Sequence, residues 1–180
     1  TIQDEILSRE EIFDKLMVDE NFYYVTAWNK VYKREIFKDI RFPKGKIHED
    51  EYSAHHILGK ASKIVTTKDV YVYYVQRQGS IMNTAINIKK INQSWAFLDR
   101  YEYFKKIGRK ENEKYALRQS YSVALTCING LELKKNNSSN NQDEIQTNRE
   151  EIKKLLKVLI RKLKWNLRII KLLIAYIRNF

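Results

Sequence analysis

The chain has 180 residues, 43% of them hydrophobic, and a formal net charge of +12. That apolar share suits a packed core and excludes a fully disordered chain. A single cysteine, Cys127, excludes an internal disulfide framework; residues 1–20 lack the apolar stretch of a secretory leader, and no charge-free run reaches the ~20 residues that span a bilayer.

The first elements are expected to be mixed. "SREEIFDKLM" starts with Ser8 and has Glu11 three residues on, the spacing of a capping box, and predicts a helix over about 9–19. "FYYVTAWNKVY" (22–32) is aromatic and β-branched and predicts a strand or strand-loop. "KREIFKD" is a short helix, and "IRFPKGK", with Pro43 and Gly45, is a turn or loop. A helical pattern starts at Glu49 and ends near Gly59. "SKIVTT" and "VYVYYVQR" read as two strands separated by Lys68-Asp69, the second apolar on both faces and so expected to be covered.

After Asn87 the pattern turns helical, with apolar positions at 88, 91, 95, 98, 101 and 104, and Gly108 closes that helix. Residues 111–133 give a second helix, completing a hairpin over 87–133. The polar stretch 134–148 is expected to be a flexible linker. Residues 149–180 form a basic amphipathic helix carrying ten basic and two acidic groups, most of the net charge. Two uses suit it: lying on an anionic membrane surface, or packing on the preceding helices with a solvated basic face. No nucleic-acid-binding module accompanies the charge, so nucleic acid is not an expected partner. Cys127 reads as a buried structural thiol in a reducing, cytoplasmic setting.

Three motifs carry chemistry: W-N-K-x-Y-K-R-x-x-F from Trp28, R-F-P-x-G followed by the acidic run Glu49-Asp50-Glu51, and Y-Y-x-x-R-x-G-S-I ending at Ile81. In this order they resemble the C-terminal half of the catalytic domain of bacterial family 2 glycosyltransferases, which have the GT-A fold. The resemblance covers roughly residues 5–82. It implies an α/β class, an incomplete Rossmann-like GT-A half with few strands over 1–86, followed by a mainly α-helical region. By that resemblance the Glu49-Asp50 pair is the catalytic element, with Asp50 the general base of an inverting transfer from a nucleotide sugar to a glycan or lipid-linked acceptor in cell-surface polysaccharide assembly. It also assigns substrate contacts to Trp28, Lys30 and His48 on the acceptor side and to Arg77 and Ser80 on the diphosphate side. Val75 stands where the family often has a second arginine.

The family uses a divalent cation, Mg²⁺ or Mn²⁺, held by an Asp-x-Asp motif. No such motif occurs in this chain, so the chain is expected to provide no metal ligands and to be inactive alone. Position 1 is Thr rather than Met, which fits an expected fragment of a longer enzyme, cytoplasmic or peripheral at the inner membrane face. Exposed sheet edges in such a half-domain would favour self-association. His55 and His56, adjacent on the expected helix, should face different directions, do not form a metal pair at helical spacing, and receive no role. The alternatives are a non-catalytic basic module that binds a membrane or partner, and an inactive relative that keeps the motifs.

Overall fold

The computed structural model describes residues 3–18, 22–75, 90–135, 142–163, 171, 172 and 174, with side chains of 130–135 and 142–148 left undescribed. It is an α/β chain with a small two-stranded sheet at its start and a helical C-terminal region.

Strand β1 (Glu5–Ser8) pairs antiparallel with β2 (Lys63–Thr66), Glu5 opposite Thr66 and Ser8 opposite Lys63. Leu7 faces the core, whereas Ile6 points to solvent, as strand alternation requires. Ser8 ends β1 and caps α1 (Arg9–Lys15). Its hydroxyl accepts from the Glu11 amide at 3.2 Å, and its own amide donates to Glu11 Oε2 at 2.7 Å. This is the reciprocal box that the spacing predicts. Ile12, Phe13 and Leu16 drive the apolar face of α1 into a core with Val25, Ala54, Leu58 and Phe104.

The strand expected over 22–32 does not form. Phe22–Val25 makes one helical turn, α2, followed by a loop. The carbonyls that a sheet would need are taken locally: Tyr23 O accepts from Asn29 Nδ2 (3.0 Å) and Lys30 Nζ (2.6 Å), and Thr26 O accepts from Lys30 as well. A lysine reaching the final carbonyls of a helical turn satisfies groups that have no partner within the turn.

After a 3-10 turn at Arg34–Lys38 comes α3 (Glu49–Lys60), which begins and ends close to expectation. Lys63–Thr66 is a strand as predicted, but residues 70–75 are not, and Tyr71 and Tyr73 are 78% and 88% exposed. No neighbouring strand pairs with this segment among the described residues, and its final positions, Gln76 and Arg77, lie outside them.

Helices α4 (Ile91–Lys106) and α5 (Lys110–Lys135) pack against each other as a hairpin. Gly108, at φ +76°, adopts the left-handed conformation that ends helices, and the Arg109 amide donates to Phe104 O at 2.9 Å. Ser94 and Ser120 lock the hairpin from inside, each hydroxyl donating to the other residue's carbonyl at 2.7 and 2.9 Å. Asn112 ties α5 to the first core through Phe13 O at 2.7 Å.

Two helical ends reach into the stretch 134–148: α5 runs to Lys135, and α6 (Gln142–Leu163) starts seven residues before 149. Ile152, Leu155, Leu156, Leu159 and Leu163 of α6 are buried in a second core with Ile91, Leu98, Ala124 and Ile128. Helix α4 therefore serves both cores, with Phe104 in the first and Leu98 in the second. Cys127 on α5 is buried, and its thiol is pushed up to about 11 by burial. Among the described residues no helix is long and apolar enough to cross a membrane.

Candidate functional site

Helix α3 organises the chemistry. Its N-cap is His48, whose backbone sits in the left-handed region at φ 59°. The first turn is Glu49, Asp50 and Glu51, where negative charge complements the amide end of the helix. Successive residues on a helix diverge by roughly 100°, so the three carboxylates meet three environments.

Glu49 is exposed to solvent. Glu51 is buried against α4: Oε2 accepts from Arg100 Nη2 at 2.6 Å, and Oε1 accepts from Gln93 Nε2 at 3.4 Å. Arg100, 1% exposed, also donates to the Glu51 carbonyl at 3.2 Å and lies over the Phe97 ring at 5.1 Å. Glu51 is thus a packing and anchoring group.

Asp50 is half-buried at a narrow crevice, too tight to admit a water molecule, whose lining includes Lys30, Tyr32, Phe42, Ala54 and Ile57. Burial raises its proton affinity above that of an ordinary carboxyl. The Glu51 amide, which donates to Oδ1 at 2.9 Å, opposes that rise, while the charges of Glu51 and Glu49 add to it. Tyr32, across the cleft, is pushed up to about 12 by burial and by the Asp50 charge. Burial lowers Lys30 to about 8, and Asp50 acts in the opposite direction. The Lys30 ammonium also spends its three donors on Tyr23 O, Thr26 O and Asn29 Oδ1. Its first structural duty is therefore to hold the loop that walls the cleft.

Trp28, in the same loop, is 53% exposed and stacks on Tyr74, ring centroids 5.3 Å apart and 9° from parallel. This pair makes an exposed aromatic platform. His48 Nε2 is buried without a hydrogen-bond partner. Arg77 and Ser80 lie outside the described residues. The structure thus brings Lys30 and Asp50 to one cleft and leaves Glu49 outside it.

The crevice is closed to water-sized molecules, unlike ligand pockets of roughly 300–1,000 Å³, so a substrate would meet Asp50 from its exposed side. Its ionisable lining is Tyr24, Lys30, Tyr32 and Asp50, one carboxylate beside a lysine, which does not fit a divalent cation.

The histidine pair contradicts the expectation that adjacent residues diverge to no purpose. His55 Nε2 and His56 Nε2 both reach Asp99 Oδ2 on α4, at 2.9 and 2.8 Å. Burial lowers His55 to about 3 despite the opposing pull of the Asp99 hydrogen bond. Burial alone would raise the Asp99 carboxyl, but the two histidine hydrogen bonds outweigh it and hold the group below the usual range. Sequence spacing gave no signal for Asp99, which is 43 and 44 positions away.

No known family model matches the chain, and no solved structure matches it. It is 30% identical over 82 residues to the glycosyltransferase GlyA of Streptococcus pneumoniae serotype 4, covering 40% of this chain and 12% of that protein. It is 33% identical over 95 residues to the glycosyltransferase GlyG of the same organism, covering 51% of this chain and 30% of that protein. The chain therefore spans less than a third of either curated relative, and over that part it is related to glycosyltransferases.

Proposed function

We propose that the chain contributes the acceptor-side part of an inverting family 2, GT-A-type glycosyltransferase, with Asp50 as general base. The observation that carries the reading is the half-buried carboxylate on the first turn of α3, beside Lys30 and Tyr32, with its proton affinity raised. An alcohol is a weak nucleophile at neutral pH, and a base whose pKa is drawn toward the working pH is the more effective one. In the proposed step Asp50 takes the proton of the acceptor hydroxyl as its oxygen bonds to the anomeric carbon. The bond from that carbon to the leaving phosphate oxygen breaks, its electron pair goes to the nucleoside diphosphate, and the configuration inverts.

Trp28 and its partner Tyr74 offer an apolar face for a sugar ring of the acceptor. Lys30 fixes the loop beside Asp50, and His48, held at the N-cap with an unpartnered ring nitrogen, supplies a polar contact to substrate. Arg77 and Ser80 complete the proposal as diphosphate-side contacts, the arginine gripping phosphate through paired charge-assisted bonds. The cation that the family uses at the diphosphate has no fitting ligand set beside Asp50, so no step is assigned to it here. Assembly of a cell-surface glycan at the inner membrane face is the expected setting.

The test is Asp50→Asn in the full-length protein, scored by transfer from nucleotide-sugar donors to glycan or lipid-linked acceptors. The expected result is a kcat lower by about 10²–10⁴-fold with donor affinity retained. Unchanged turnover would remove Asp50 from the chemistry.

A further inference from the structure

We propose that His55, His56 and Asp99 form a binding site for a zinc-like divalent metal ion that joins α3 to α4. Their ligand atoms, His55 Nε2, His56 Nε2 and Asp99 Oδ2, all lie within 4.8 Å of one another, and no other group of three or more His, Cys, Asp or Glu side chains converges this way among the described residues. The proposal is independent of Asp50. Counting about 100° per residue from Asp50, His55 and His56 project roughly 140° and 240° around the helix, away from the cleft side.

Two imidazoles and one carboxylate are a donor set suited to Zn²⁺ and neighbouring first-row ions, in contrast to the all-oxygen sets of Mg²⁺ and Ca²⁺. Donor atoms about 2.0–2.1 Å from a tetrahedral ion stand roughly 3.3–3.4 Å apart. The two nitrogen–oxygen separations are 2.9 and 2.8 Å, so each contact has to open by only about half an ångström. The two imidazole nitrogens, within 4.8 Å of each other, have to settle at the same spacing.

The surroundings hold the rings in place. Tyr103, one turn beyond Asp99 on α4, contacts both imidazoles edge-on, with centroids 5.2 Å from each. It reaches that position because residue 59 is glycine: a Cβ there would fall 1.8 Å from the Tyr103 hydroxyl oxygen. His55 Nδ1 is buried without a partner, so the orientation of that ring comes from packing rather than from an outer hydrogen bond.

An ion can also reach the site. His55 is fully buried, but the side chains of His56 and Asp99 are 41% and 45% exposed. Asp99 borders a cleft of about 400 Å³ that also includes Tyr52, Glu102 and Glu151. Three protein ligands leave at least one coordination position for water from that side. The site would pin the helix that carries Asp50 to the α4–α5 hairpin.

The experiment titrates the chelator-stripped 180-residue chain with ZnCl₂ by calorimetry and with Co²⁺ by visible absorption. One ion should bind per chain, with d–d bands of a low-coordinate nitrogen–oxygen site, and Zn²⁺ should raise the melting temperature. His56→Ala and Asp99→Ala should each weaken binding beyond the roughly 10–100-fold that loss of an outer partner costs. They should also abolish the thermal shift, while Cys127→Ser leaves both intact. His56 and Asp99 are the chosen positions because they are part-exposed, and unchanged circular dichroism will show that the variants fold. Absence of stoichiometric binding, or binding that survives both substitutions, overturns the site.

Discussion

Glu49, Asp50 and Glu51 are neighbours in sequence and strangers in the fold. Helical geometry alone separates their directions, so that much was legible from the order of residues. Which direction meets a buried arginine was not, because Arg100 lies 49 positions away. Two opposite stability effects follow. Glu51→Ala leaves the Arg100 guanidinium buried beside Phe97 without its counter-charge, and should cost about 3–5 kcal/mol in urea denaturation. Asp50→Asn should do the reverse. The folded pKa of Asp50 is raised, so the carboxyl favours the fold while protonated, and that contribution is lost as pH rises through the folded value. At neutral pH the ionised group costs stability, so Asp50→Asn should match or exceed the wild-type denaturation midpoint there. The difference should vanish below about pH 4, where the carboxyl is protonated in both states. A clear loss at neutral pH would mean that Asp50 is a structural anchor like Glu51.

At the scale of elements, local signals were the readable ones. The Ser8–Glu11 box needs only four consecutive residues, and α1 starts where it says. The end of α4 was equally legible, since Gly108 takes a conformation that other residues avoid. The two aromatic stretches were misread because strand propensity describes a half-buried pleated surface, and a strand needs a partner before composition can express it. At 22–32 the Lys30 and Asn29 side chains take the carbonyls instead. Gly59 is the element-scale feature with the sharpest consequence. Its scarcity value within a helix would normally be negative, since Ala is better there by up to about 1 kcal/mol. Here the added methyl meets the Tyr103 hydroxyl at 1.8 Å and Cζ at 2.9 Å. Overpacking of that kind costs about 1–3 kcal/mol, so Gly59→Ala should be destabilising despite the propensity gain. Adding Tyr103→Phe removes the closer atom and should recover part of the loss, a non-additivity that a double-mutant cycle reads directly. Stabilisation by Gly59→Ala alone would show that Tyr103 does not occupy that space.

For the molecule as a whole, charge and amphipathicity identified the last helix but left its apolar face with two uses, a lipid surface or the protein's own core. Over 149–163 the face points inward: Ile152 and Leu159 are fully buried beside Ala124 and Ile128. Lys153 and Lys154 stand on the outer side, in i,i+3 pairs with Glu150 and Glu151. A sequence holds the stripe but not what it meets, because the covering surface comes from α4 and α5, and the Glu102–Lys162 pair, for one, joins residues 60 positions apart. Leu159→Ala distinguishes the two uses. If Leu159 is core, removing its side chain from a site with no exposed surface loses transfer energy and leaves a cavity, about 2–5 kcal/mol together. The loss should appear in lipid-free buffer as a lower urea midpoint. Co-sedimentation with anionic vesicles should then be unchanged at temperatures where the variant stays folded. If the face were held for a membrane, the same substitution would leave the lipid-free midpoint in place and reduce vesicle binding instead, because the lost contact would then be with acyl chains. Since α4 contributes to both cores, the packing reading carries a further consequence: the weakening should spread through α4 and be reported by probes in the first core as well as the second. Matching shifts at Trp95, beside α6, and at a reporter placed near Phe104 would mark one cooperative unit.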